Sequence, residues 1–333
     1  MKKPLMLALL LGALGSGLAQ ADACVPERAP ASAWGANPIT TYLIAALAPD
    51  KLIGWNFAPP PEARGFFPAA TLERPVVGGW FGQGKTPNLE TLAALKPDIS
   101  LVSGATVAVK NSVHALEQLG LASCEIRADH VDDYPAALRK AGKALGVAER
   151  GEQMAVMAEH LLAARQKSSL NPAPRIYYAE GPDGLASECD GSIHAEVITL
   201  AGGVNVHRCP GDSGKDRFGM VRVDFEQLVS YDPDWIVTQD MSFARKLKGD
   251  ARWKSLRAVR EGRVLLMPQV PFRWMDRPPS YMRLLAMHWL AERIQPKPYA
   301  LDVPKATQDF FALFFQRELD AHAVQAILNP EVH

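Results

Sequence analysis

The stretch "PFRWMDRPPS" at Pro271–Ser280 places Arg273, Trp274, Asp276 and Arg277 within five residues, held between prolines. A guanidinium offers paired N–H donors to a carboxylate, a phosphate or another oxyanion. A neighbouring carboxylate that orients one arginine leaves the other free. The stretch lies between the strand-like run "RVLLMP" and the helix-like run "YMRLLAMHWLAERI", with Ser280 as a natural helix cap. Helix N-termini carry partial positive charge, so the segment is expected to hold the negative part of a ligand.

Other loops that follow strand-like runs supply further candidates. Asn37, Trp55, Trp80 and Lys85 come from the first half of the chain, His194 and Asp240 from the second. Trp55, Trp80 and Trp274 are expected to line one crevice, because indole rings give rigid apolar contact to bulky ligands and stack on planar groups. His114, His130, His160, His207, His288 and His322 show no spacing that suggests a metal site, so none is assigned.

Two tempting motifs fail on context. "GWFGQGKT" at Gly79–Thr86 matches the phosphate-loop pattern, but Pro87 drives Thr86 out of the helical region that such a loop requires. "HAE" at His194–Glu196 lacks the P-C-x-x-C partner of zinc deaminases, and neither H-E-x-x-H nor G-x-S-x-G occurs. No nucleophile–base constellation is visible, so an enzyme is not expected; an exported hydrolase or metal-dependent enzyme is the alternative of a different class.

These residues need elements to position them. The 333 residues are 48% apolar and 22% charged with zero formal net charge, which fits a globular chain long enough for two domains or two lobes and does not suggest a nucleic-acid surface. The N-terminus has Lys2 and Lys3, an apolar run from Leu5 to Leu14 and Ala19-Gln20-Ala21, which reads as a secretory signal peptide over residues 1–21. Cys24 would suit a lipid anchor only with a leucine three residues before it, and Ala21 stands there. Export makes Cys24, Cys124, Cys189 and Cys209 disulfide candidates. Cys189 with Cys209 and Cys24 with Cys124 is one plausible arrangement, but four cysteines allow three connectivities and the sequence does not choose.

"NLETLAALKPDISLVSG" from Asn88 and "DFEQLVSYDPDWIVTQD" from Asp224 echo each other: a capping residue, a short helix with Glu early in it, Pro-Asp, then a buried strand. One copy in each half suggests two lobes built alike. The remaining runs alternate strand and helix, which implies mainly parallel sheets with ligands at the carboxyl ends of the strands. Between the halves, Glu149–Leu170 carries an apolar stripe of Met154, Met157, Ala158, Leu161 and Leu162 at helical spacing and reads as one long helix.

The two echoed stretches, with "HAEVITLAGGVNV", "WKSLRAVREGRVLLM" and "RPPSYMRLLAMHWLAERI", resemble the periplasmic substrate-binding proteins of ABC importers for iron–siderophore complexes, cobalamin and related metal compounds. The resemblance covers about Ala33 to Phe315. It implies an α/β fold of two Rossmann-like lobes joined by a single long linker helix, with the ligand cleft between them. On that reading residues 22–148 form the N-terminal lobe, 149–170 the linker helix and 171–333 the C-terminal lobe. It also implies a periplasmic monomer without a cofactor, delivering its ligand to an inner-membrane permease and ATPase. Glu90 and Glu226 would dock on that permease. The ligand expected first is an iron–siderophore complex, with molybdate or tungstate, cobalamin, haem or a nickel chelate as alternatives.

Overall fold

The computed structural model describes residues 24–81, 86–103, 107–165, 170–209, 220–247, 249–295 and 299–331. The first lobe has strands β1 (Ala33–Gly35), β2 (Ile99–Val102) and β3 (Ser123–Glu125), parallel and adjacent in that order. Its helices are α1 (Pro38–Leu47), α2 (Ala69–Leu72), α3 (Leu89–Leu95), α4 (Val107–Gln118) and α5 (Tyr134–Ala144). Helix α6 (Ala148–Ala163) follows and packs along α5. In the second lobe β4 (Arg175–Ala179), β6 (Val204–Asn205), β8 (Trp235–Thr238) and β9 (Val264–Leu266) form a parallel sheet in the order β6-β4-β8-β9. Strands β5 (Ala186–Ser187) and β7 (Val221–Arg222) pair antiparallel beside it. Helices α7 (Glu196–Leu200), α8 (Phe225–Tyr231), α9 (Met241–Leu247), α10 (Ala251–Lys254), α11 (Arg257–Arg260), α12 (Arg283–Ile294), α13 (Val303–Phe315) and α14 (Ala321–Leu328) complete the chain. The expected α/β architecture is present. Residues 50–56 contribute only single parallel bridges, Leu52 to Ala33 and Trp55 to Val76.

The echo is structural as well as verbal. Helices α3 and α8 both end on a left-handed residue, Lys96 at φ 45° and Asp232 at φ 37°, followed by Pro-Asp. Each aspartate then ties the chain that enters its lobe's sheet. Asp98 Oδ2 accepts from the Ala31 and Ser32 N–H groups at 2.7 and 2.9 Å, and Asp234 Oδ2 accepts from Arg175 N–H at 2.9 Å. The helix–break–strand unit is therefore clamped in the same way in both lobes. Disulfides join Cys24 to Cys124 and Cys189 to Cys209.

The lobes share one core. Helix α12 packs against α6, α13 packs against α1 and α6, and Tyr281, Phe310, Phe311 and Phe314 lie in the same apolar cluster as Tyr42, Leu43 and Tyr134. A polar clasp crosses the same junction. Arg283 is fully buried at the start of α12. Its Nη2 donates to Asp129 O at 2.8 Å and Tyr134 Oη at 3.1 Å in the first lobe. Its Nη1 donates to Glu196 Oε2 at 3.1 Å and Ile193 O at 3.3 Å in the second. Glu196 in turn accepts from Val131 N–H and pairs with His130 Nδ1, both at 3.2 Å.

Candidate ligand cleft

The segment Pro271–Ser280 spans the two lobes. Phe272 stacks on Tyr42 of α1 with ring centroids 4.1 Å apart, fixing one end to the first lobe. At the other end Asp276 N–H donates to Gln239 Oε1 at 3.2 Å, beyond the carboxyl end of β8. Between these ends Trp274 is fully buried; its indole N–H donates to Val270 O at 2.7 Å and its ring lies against Phe311. Trp274 is thus a core anchor and not the expected cleft wall. Trp55 corrects in the same sense. It is buried, donates to Thr71 O at 2.8 Å, and packs on Tyr42 and Phe67. Large rings are drawn to wherever apolar area can be buried, and here the lobe junction offers more of it than the cleft.

Trp80 is partly exposed, with its ring 5.7 Å from that of Trp34, and Phe57 and Phe81, also partly exposed, meet edge to face nearby in sequence. An aromatic surface therefore survives in the first lobe, built from residues other than those expected. Lys85 lies outside the described residues. Helix α3 begins at Leu89, so Thr86 is not in a helix, as the phosphate-loop argument requires. Asn37 caps α1: its Oδ1 accepts from Thr40 N–H at 3.1 Å while its Nδ2 donates to Ser103 O at 2.9 Å. Asp240 caps α9, accepting from the N–H groups of Ser242 and Phe243. Both residues, expected to meet a ligand, position loops with their side-chain oxygens. At the carboxyl ends of β1 and β2, the Trp34 indole N–H and the Ser103 hydroxyl are buried without a hydrogen-bond partner among the described residues.

The second lobe holds the densest charge. Arg277 Nε donates to Glu180 Oε1 at 2.6 Å, its Nη2 pairs with Glu188, and Asp276 Oδ2 lies 3.7 Å from its Nε. His194 Nδ1 lies 2.5 Å from Asp276 Oδ1. The three carboxylate side chains are 0–3% exposed, whereas His194 is 14% and Arg277 27% exposed. The face turned to solvent is cationic and its counter-charges are underneath. Arg277 adopts φ 58°, unusual for a residue with a side chain, and its ion pairs hold it there.

Burial pushes the Glu180 carboxyl up to about 7, although Arg277 pulls the other way. Burial likewise raises Glu188, against His194 and Arg277. For His194 burial acts to lower the value, but the hydrogen bond to Asp276 outweighs it and the ring is raised above its ordinary range. Arg277 behaves in the same way: burial disfavours its charge, and Glu180, Asp276 and Glu188 more than restore it. Arg273 is partly exposed and makes no hydrogen bond or ion pair with another described residue. Asp276 was expected to orient an arginine, but its close partner is His194; Arg277 is held by Glu180 and Glu188, which the sequence did not reveal. Glu180 lies directly after β4, at the carboxyl end of a strand where ligands were expected, so its position carried the signal. Glu188 carried none beyond its place beside Cys189.

Two α/β lobes with parallel sheets, a shared junction, and polar loops at the strands' carboxyl ends define the class of two-lobed solute-binding proteins. The comparisons make the assignment specific. The model of the periplasmic binding protein family matches residues 80–271, more than half of the chain, and the chain belongs to that family. It is similar to an ABC transporter solute binding protein from Sulfurospirillum deleyianum, with 31% identity and a TM-score of 0.84 over 91% of this chain and 95% of that one. The molybdate-binding protein MolA of Haemophilus influenzae is 20% identical over 71% of this chain and 72% of its own. Its molybdate-bound structure superposes with a TM-score of 0.67, at 19% identity, over 90% of this chain and 98% of that one. The vitamin B12 binding protein BtuF of Vibrio cholerae has the same fold, with a TM-score of 0.56 and 20% identity over 80% of this chain and 96% of that one. This is a periplasmic binding protein of the ABC-transporter type, and the family implies a periplasmic location.

Proposed function

We propose that this protein is the non-enzymatic solute-binding component of an ABC importer and captures an anionic metal compound, an iron–siderophore complex in the first instance. The observation that carries this reading is the cationic face of Arg277 and His194 over buried carboxylates, with Arg273 of the same segment partly exposed and making no hydrogen bond or ion pair among the described residues. Trp80, Phe57 and Phe81 supply the apolar surface that a bulky chelate needs. A metal oxyanion is the second reading, favoured by the similarity to MolA in both sequence and fold. On either reading Arg273 is the principal ligand arginine, because Arg277 already satisfies Glu180 and Glu188.

The test is a titration of the ligand-stripped mature protein with ferric siderophores, cobalamin, haem, molybdate and tungstate, followed by tryptophan fluorescence and calorimetry. We expect one anionic member to bind tightly, and Arg273→Ala to weaken it roughly 10- to 100-fold, the size of a lost charged hydrogen bond. An affinity unchanged by that substitution would remove Arg273 from the site. A panel with no binder would overturn the ligand class.

Glu90 and Glu226 are exposed in the first turns of α3 and α8, at equivalent places in the two clamped units. We assign them to permease docking as a pair, one per lobe. The double substitution Glu90→Arg/Glu226→Arg is expected to leave ligand affinity within about twofold, as exposed charges far from a site do, while abolishing uptake in cells. Undiminished uptake would show that these glutamates are merely solvated carboxylates.

A further inference from the structure

The Cys189–Cys209 disulfide has a neighbour that neither its structural role nor the ligand site uses. His207 is 5% exposed, and one nitrogen of its ring and the two sulfurs lie within 4.8 Å of one another. Its Nδ1 is 3.0 Å from the Tyr231 hydroxyl. With that nitrogen carrying the proton, Nε2 turns a lone pair toward Cys209 Sγ at 3.9 Å. A neutral imidazole oriented through its second nitrogen is the form in which histidine binds metals. The Cys124–Cys24 disulfide has no such histidine among the described residues.

The spacings fit a tetrahedral ion. With a metal–sulfur bond of about 2.3 Å and a metal–nitrogen bond of about 2.1 Å, the two ligand atoms stand about 3.6 Å apart. The Cys209–His207 pair is already near that separation, at 3.9 Å. Two thiolates on one tetrahedral ion need about 3.8 Å, so the sulfurs must part by roughly 2 Å once the disulfide opens, within reach of side-chain rotation. We propose that Cys189, Cys209 and His207, when the disulfide is reduced, form a Cys2His site for a thiophilic d10 cation of the zinc class. A water or the nearby Asp190 carboxylate completes the coordination.

The chemistry balances as follows. A dithiol reductant gives two electrons and two protons to the disulfide and closes to its own disulfide, leaving two thiols here. Binding of Zn2+ then displaces those two thiol protons to solvent. Metal and oxidant therefore compete for the same sulfurs. The segment that they control carries Glu188, Ser192 and His194, and Asn205 Nδ2 holds it by donating to Glu188 O at 2.9 Å. The occupant of this corner thus bears on the partners of Arg277.

The test uses the intact mature chain, reduced with dithiothreitol, desalted without air and reoxidised with and without Zn2+. Closure of each disulfide is followed by alkylation and peptide mass. Zn2+ is expected to slow closure of Cys189–Cys209 at least tenfold, to leave Cys24–Cys124 unaffected, and to lose its effect in His207→Gln. Equal slowing of both pairs, slowing of neither, or protection that survives in His207→Gln would each overturn the proposal. Should His207→Gln fail to fold, Cd2+ is titrated into reduced Cys24→Ser/Cys124→Ser protein. One equivalent producing sulfur-to-cadmium charge-transfer absorption supports the site, and its absence overturns it. None of these readouts depends on which ligand the cleft takes.

Discussion

Arg283→Met is expected to lower stability by about 3–5 kcal/mol, the usual consequence of removing one partner from a buried charge pair, seen as a fall in the urea midpoint with an unchanged slope. The arginine has no access to water, and its fork serves four acceptors on both lobes. Methionine would fill much of the volume. It cannot replace the donors, so Asp129 O, Tyr134 Oη and Ile193 O would be left buried beside a Glu196 carboxylate with fewer partners. Each orphaned group costs about 1–3 kcal/mol. Glu196→Gln is expected to cost less, because a neutral amide oxygen still accepts from Arg283 and Val131. If Arg283→Met unfolded at the parental midpoint, the clasp would be decoration on a junction held by apolar packing alone.

Arg277→Ala should produce the second large effect, and its size should depend on pH. Glu180 and Glu188 would lose their counter-charge while still buried, at a cost of about 3–5 kcal/mol at pH 8. At pH 5 the carboxyls take up protons and most of that cost is expected to vanish. The parent should show the same tendency more weakly. Glu180 is raised from 4.5 to about 7, so the folded state binds its proton more tightly than the unfolded state does. The corresponding stability is complete below about pH 4.5, declines as pH rises, and is gone above about 7, in all about 3 kcal/mol. His288 works in the opposite direction. Burial lowers it to about 4, so its contribution is complete above about 6.5 and lost as pH falls toward 4. Glu180→Gln separates the two: the decline toward neutral pH should flatten, while the loss in acid from His288 persists. Denaturant titrations between pH 4 and 8 would show it, and a parental slope retained in Glu180→Gln would place the titrating group elsewhere.

Features governed by local periodicity and chain punctuation were legible in the sequence. The alternation of strands and helices, the doubled unit ending in Pro-Asp, the cap at Asn88 and the start of α3 after Pro87 all follow from neighbouring residues. Pairings across long separations were not. Asp276 meets His194 across 82 residues and Arg283 reaches Asp129 across 154. No local pattern announces such partners, since a buried acid and an exposed one look alike in sequence. The tryptophans misled for a related reason: an indole after a strand suits a cleft wall and a lobe junction equally well, and only the tertiary arrangement decides between them. His207 was set aside because histidine spacing was judged without the disulfide that brings Cys189 and Cys209 beside it.

The segment from Phe272 to Asp276 is moored at both ends, by ring stacking in one lobe and by Gln239 and His194 in the other. It behaves mechanically as a tie rod without slack. Any rotation of one lobe against the other must be absorbed in the few bonds between those moorings, and Arg273 sits among them. On the proposed reading, the side chain that grips the ligand lies within the stretch that ties one lobe to the other. A pull exerted on the two outer helices would loosen that grip without any separate release signal.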